Sequence, residues 1–221
     1  MEDVLAIDGP SGSGKSTVAR GAAEALGVEV LDTGAMYRAV TLAAIERGIP
    51  LDDADACTDV ARRAEIDQDG ERTLLDGRDV SDAIRGPEVT AAVSIVSAHP
   101  GVRVELVAVQ RAWAEDHGGG VVEGRDIGTV VFPDARLKVF VTATDEERAR
   151  RRQGDEVAAA RDVDVDTVRE SMMRRDELDS TRASSPLRPA DGALILDTTG
   201  RGPQEVVDEV VERFRTALET S

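Results

Sequence analysis

The sequence predicts an α/β protein: a five-stranded parallel sheet with flanking helices, carrying a small antiparallel insert. Three observations lead there. Short apolar runs alternate with longer helical stretches at the pace of βαβ units. The apolar runs are continuous rather than alternating, as in strands buried on both faces. In the middle of the chain two Asp-Gly pairs separate short apolar stretches, which is a hairpin signal.

Taken in order, Val4-Leu5-Ala6-Ile7 is the first strand, ending at Asp8-Gly9-Pro10. A helix over Val18 to Leu26 is stopped by Gly27. Val28 to Leu31 is the second strand, and Met36 to Arg47 the second helix, closed by Gly48 with Pro50 beyond. Asp52 to Ala64 has helical spacing. The insert follows over 64–82, with turns at Asp69-Gly70 and Asp76-Gly77. Two helices, Val89 to Ala98 and Val102 to Glu115, are split by Pro100-Gly101, and Gly118-Gly119-Gly120 reads as a flexible turn. Val121-Val122-Glu123, Leu137 to Val141 and Leu194-Ile195-Leu196 complete the sheet. Charged helices are expected over Asp145 to Gln153 and Val157 to Asp176, and a last helix over Pro203 to Leu218.

Composition limits the function. The 221 residues suffice for one large domain, or one core with small lobes. Aromatics are 2 %, so the core is built from Ala, Val, Leu and Ile. The net charge of −17 argues against a binder of nucleic-acid polymers. One cysteine, Cys57, excludes a disulfide framework and a multi-cysteine zinc site. His99 and His117 are the only histidines, which excludes a His-rich metal centre; both flank turns and are expected in solvent. No apolar run reaches the roughly 18 residues needed to cross a bilayer, and the start Met1-Glu2-Asp3 lacks a signal peptide's basic and apolar segments. The expectation is a cytoplasmic monomer with no membrane partner.

Gly9-Pro10-Ser11-Gly12-Ser13-Gly14-Lys15-Ser16 fits G-x-x-x-x-G-K-[ST], between an expected strand and an expected helix. Its glycines let backbone N–H groups curl round an anion, and the helix start adds the positive end of its dipole. Lys15 can reach the β- and γ-phosphates of a nucleoside triphosphate, and the Ser16 hydroxyl can serve Mg²⁺. Thr17 completes the ATP-binding segment.

Further segments point to the acceptor. Asp32-Thr33-Gly34-Ala35-Met36-Tyr37-Arg38 and Glu123-Gly124-Arg125-Asp126-Ile127-Gly128-Thr129 each sit at a strand end, where open α/β sheets bind ligands. Arg175-Asp176-Glu177-Leu178-Asp179-Ser180-Thr181-Arg182 follows the charged helix, and Ser94 and Arg103 flank the helix break. Arginine forks match phosphate bidentately, so this many imply a phosphorylated substrate. A four-residue spacing lets Arg175 and Asp179 pair on one helical face.

The order GPSGSGKS, LDTGAMYR, EGRDIGTVVFPDA, RRDELDSTR and SPLRPADGALILDTT resembles the bacterial cytidylate kinases, (d)CMP kinases of the nucleoside monophosphate kinase group, from about Val4 to Phe214. The resemblance implies a P-loop core, an NMP-binding insert and a short helical lid. The corresponding divisions are 1–35, 104–145 and 175–221 for the core, 36–103 for the NMP-binding region and 146–174 for the lid. It also implies that Thr33, Arg103, Asp126 and Arg182 surround the cytosine. Ser94, Arg175 and Asp179 would hold the sugar, and Tyr37, Arg38 and Arg125 the acceptor phosphate. Thr33 stands where some relatives have Ser, and Glu123 where others have Asp. Arg148, Arg151 and Arg152 resemble the start of the lid, where they would clamp the transferring phosphoryl and act with Lys15. The expected reaction is ATP plus CMP or dCMP giving ADP and CDP or dCDP, in pyrimidine nucleotide metabolism. The rivals are a UMP- or shikimate-type kinase on the same loop and a nucleotide-binding switch. For a GTPase-type switch the Asn-Lys-x-Asp guanine motif is missing.

Overall fold

The computed structural model describes residues 3–158, 164–182 and 185–220, with only the backbone of Asp155, Glu156 and Ala158. Residues 159–163 of the expected lid lie outside them. Two compact units emerge, one of residues 1–30 and 117–221, the other of Leu31–Asp116.

The first unit is built on β1 (Asp3–Asp8), β6 (Gly119–Gly124), β7 (Leu137–Thr142) and β8 (Leu194–Asp197). β2 (Val30–Asp32) leads the chain out of it. The five-stranded sheet has the order β2-β6-β1-β7-β8, and β1 pairs in parallel with both β6 and β7. Helices α1 (Lys15–Leu26) and α8 (Pro203–Glu219) pack together over the sheet. Their Ala- and Val-rich faces (Ala19, Ala22, Ala23; Val206, Val207, Val210) meet Leu5, Ile7, Val121 and Val139. A core with almost no aromatics therefore closes by short side chains at close range. Helices α6 (Asp145–Ala158) and α7 (Val165–Thr181) pack against each other.

Gly119 and Gly120 are not a turn. They open β6 opposite Asp3 and Val4. Gly119 has φ +117°, and a Cβ there would lie 2.7 Å from the Asp3 carbonyl, so this approach admits only glycine.

The second unit holds α2 (Thr33–Glu46), α3 (Ala54–Arg63), α4 (Pro87–Ala98) and most of α5 (Pro100–His117). It also holds the expected insert, an antiparallel sheet of β3 (Ile66–Asp69), β4 (Arg72–Leu75) and β5 (Arg78–Asp79). Helix α2 begins three residues before the expected Met36, because Asp32 caps it by accepting from Ala35 N at 3.0 Å. Cys57 is buried, and burial raises its thiol pKa. His117 is exposed, but the half-buried His99 has Nε2 at 2.8 Å from the Leu51 carbonyl, so its ring belongs to the joint between α4 and α5. Among the described residues no single helix is long and apolar enough to cross a membrane.

Candidate active site

In the first unit, Gly9 to Gly14 link the central strand β1 to the N-terminus of α1. Gly14, with φ +88°, caps that helix without any side-chain bond, and the first turn holds no acidic residue. The uncapped N–H groups and Lys15 thus make a cationic helix end suited to an anion. Thr17, in the same turn, is exposed.

The loop is braced from behind by arginines. Arg125 Nη1 donates to the Gly9 carbonyl at 2.7 Å, Arg148 Nη1 to Ser11 at 3.0 Å and Arg151 Nη1 to Ser13 at 3.2 Å. Thr198 Oγ1 also donates to the Ser13 carbonyl at 3.0 Å. Gly12 has φ +73°, and a Cβ there would fall 2.7 Å from the Arg148 carbonyl and 2.8 Å from Met172 Cε. Helices α6 and α7 therefore touch the loop tip directly. The buried hydroxyl of Ser13 has no hydrogen-bond partner.

Arg148 is 7 % exposed and held on three sides, by Ser11, Asp145 and Asp176. Asp176 Oδ1 also accepts from Ser11 N at 3.4 Å. Arg151 is fixed by Glu147 and by both oxygens of Thr198. Of the three lid arginines, Arg152 is the one whose charge bears on Arg175.

At the end of β6, Ser16 Oγ donates to Glu123 Oε2 at 2.8 Å, and Glu123 is only 3 % exposed. A hydroxyl and a buried carboxylate beside a phosphate loop are hard oxygen donors, which fit a divalent cation that takes its remaining ligands from phosphate and water. Among the described residues no group of three or more His, Cys, Asp or Glu could hold a metal alone. Residue spacing does not single out Glu123: its position at a strand end is legible in the sequence, but the neighbouring phosphate-loop strand that brings Ser16 to it is not.

Helix α7 runs through Thr181, so Arg175 and Asp179 are helical rather than in a following segment. Their expected pairing is replaced. Asp179 Oδ2 accepts from Arg125 Nε at 3.0 Å, Arg182 lies 3.9 Å away, and Arg175 enters only as a longer-range charge. Burial, with the positive charges of Arg125 and Arg152, pulls the Arg175 guanidinium down to about 10 against the opposite pull of Asp179 and Asp176. Its buried Nε has no partner. Such a site gains by receiving an anion. Arg182 also lies 3.7 Å from Asp126, and both side chains are buried.

In the second unit, Arg103 lies over the Tyr37 ring, 5.4 Å from its centroid, and donates to the Ser97 carbonyl. Arg38 Nη1 donates to the Ile84 carbonyl at 3.0 Å and to Thr90 Oγ1 at 2.9 Å. Thr33 is buried at the start of α2, and the buried Ser94 hydroxyl has no partner. Gln68 of the insert bonds both backbone groups of Asp32, accepting from its N–H at 2.9 Å and donating to its carbonyl at 2.7 Å. Its side-chain amide acts as a one-residue strand partner, a contact invisible to residue spacing.

A parallel sheet whose central strand runs into a glycine-rich loop, a lysine and a helix end, with a hydroxyl–carboxylate pair alongside, defines a P-loop phosphotransferase. The solved gluconokinase of Sinorhizobium meliloti 1021 has the same overall fold, with TM-score 0.50 and 15 % identity over 99 % of this chain and 95 % of that one. The family described as cytidylate kinase matches residues 5–216. The cytidylate kinase of Mycobacterium avium (strain 104) is 51 % identical over 99 % of this chain and 97 % of its own length. That of Mycobacterium leprae (strain Br4923) is 52 % identical over 95 % and 94 %. The chain belongs to the cytidylate kinase family.

Proposed function

We propose that the protein transfers the γ-phosphoryl group of ATP to CMP or dCMP, giving ADP and CDP or dCDP. The observation that carries the reading is the arginine cluster of Arg125, Arg152, Arg175 and Arg182 within the unit that holds the phosphate loop, interleaved with Asp126 and Asp179. A shikimate-type kinase or a nucleotide switch leaves these residues without a task, and they lie within the span, residues 5–216, that matches the cytidylate kinase family.

In the first unit the loop Gly9 to Ser16 with Thr17 receives the ATP phosphates, and Lys15 meets the charge that builds on the transferring group. Ser16 and Glu123 hold Mg²⁺, which when bound neutralises the β- and γ-phosphate oxygens. Arg152 faces the phosphoryl group, and Arg175 the sugar. Arg148 and Arg151 keep the loop in shape, so that their support for the transferring group runs through the loop backbone. Asp126 accepts from the cytosine amino group, with Arg182 beside it, and Asp179 holds the sugar. Arg125 serves the acceptor phosphate. In the second unit Thr33 and Arg103 are proposed as contacts to the base, Ser94 to the sugar, and Tyr37 and Arg38 to the acceptor phosphate. An acceptor phosphate oxygen is ionised at neutral pH, so the chain's residues align it rather than deprotonate it.

The test is a panel of CMP, dCMP, UMP and shikimate as acceptors with ATP and Mg²⁺. Turnover highest with CMP or dCMP is expected; a preference for UMP or shikimate, or ATP hydrolysis without transfer, would refute the reading.

A further inference from the structure

Asp126 stands at the N-cap of a π-helical turn, Ile127–Val131. An aspartate there ordinarily turns its carboxylate back onto N–H groups of its own helix. Asp126 makes no such bond. The turn is capped from another strand. Asp8, the last residue of β1 and 3 % exposed, accepts from Ile127 N at 2.7 Å with one oxygen and from Gly128 N at 2.8 Å with the other. A third bond runs alongside, from Arg125 Nη1 to the Gly9 carbonyl. Residues 8–9 and 125–128 are thereby locked together through both oxygens of one carboxylate and one guanidinium.

We infer that Asp8 is a positioning residue for base selection: by capping the 127–131 turn in place of Asp126, it keeps the Asp126 carboxylate, which lies 3.7 Å from Arg182, off its own backbone and turned to the substrate base. The inference rests on the proposed reading of Asp126 as the cytosine contact. Two adjacent buried N–H groups need an acceptor. If Asp8 cannot supply it, the carboxylate that N-cap geometry offers is that of Asp126, within reach of Gly128 N or Thr129 N. Asp126 would then be drawn onto its own backbone and away from the base.

Asp8→Asn keeps the side chain's shape, but its amide sets a donor against one of the two N–H groups. The readout is the ratio of kcat/KM for CMP to that for UMP, measured for the wild type, Asp8→Asn, Asp126→Asn and the double variant. A weakened fold or a disturbed phosphate loop affects both acceptors alike and leaves this ratio unmoved. Asp126→Asn should lower it by about tenfold or more, because the base would then meet a mismatched group. Asp8→Asn should lower it by about three- to tenfold, and the double variant no further than Asp126→Asn alone, as expected of two residues acting in series. An unchanged ratio in Asp8→Asn beside a reduced one in Asp126→Asn would overturn the inference and leave the base reading in place. Fully multiplicative losses in the double variant would overturn it too, since Asp8 would then act independently. An unchanged ratio in Asp126→Asn would refute the base reading, and the inference with it. Asp8→Ser, which keeps one acceptor without the charge, takes the place of Asp8→Asn if the latter does not fold. Loss of the fold in both would make Asp8 a folding residue only and overturn the inference.

Discussion

Acidification is a direct probe of the buried carboxylate at the end of β1. Burial pushes the Asp8 carboxyl from 3.8 up to about 6; the N–H bonds from Gly128 and Ile127 and the charge of Arg125 oppose this, and Asp126 adds to it. A carboxyl with a raised pKa in the folded state binds its proton more tightly folded than unfolded. Its ionised form therefore costs stability, fully above pH 6, and the cost disappears as the pH falls towards the unfolded value near 3.8. Two units correspond to about 3 kcal/mol, of which about 2 kcal/mol is regained between pH 7.5 and 4.5. Other carboxylates titrate over the same range, so the quantity to measure is a difference. Urea unfolding of the wild type and Asp8→Asn at half-unit steps across that range should show the wild type gaining about 2 kcal/mol on the variant as the pH falls. Parallel stability curves would show that Asp8 does not hold a costly charge, and the account of the clamp as an ionised double acceptor would fail.

Three further outcomes are expected. Lys15→Ala should lower kcat with CMP by about 10²-fold or more with an unchanged melting temperature, since Lys15 lies outside the core; a wild-type rate would remove the loop from the chemistry. Thr198→Val removes a hydroxyl that donates to the Ser13 carbonyl and accepts from Arg151 at 2.8 Å, and should cost about 1–3 kcal/mol by urea titration and raise KM for ATP. Asp179→Ala should change kcat/KM for CMP and dCMP by different factors if the carboxylate holds the 2′-hydroxyl; equal factors would mean that it acts by pairing with Arg125.

Much of this was legible in the chain because it is local. Apolar runs with no alternation gave the sheet, and two Asp-Gly pairs the insert, since a strand buried on both faces and a tight turn each leave a short-range mark. The phosphate loop was legible for the same reason. Partner choice was not. Spacing on a helix brought Arg175 to Asp179, but Arg125, remote in sequence, holds that carboxylate. Gly119 and Gly120 looked like a turn because glycine marks both turns and close backbone approaches. Asp8 and Glu123 looked like strand ends, and only the parallel pairing of β1 with β6 shows what their carboxylates serve.

The arginines behind the phosphate loop do more than hold it still. A carbonyl bonded to a cation draws electron density through its peptide, and the N–H of the same peptide becomes a better donor. The Ser11 carbonyl, bonded to Arg148, shares its peptide with Gly12 N–H, and the Ser13 carbonyl, bonded to Arg151, with Gly14 N–H. The Gly9 carbonyl leads to Pro10, which has no N–H to sharpen. Two guanidinium groups thus polarise single amide planes whose N–H groups lie on the opposite side of the loop, and a phosphate bound there would meet the sharpened donors.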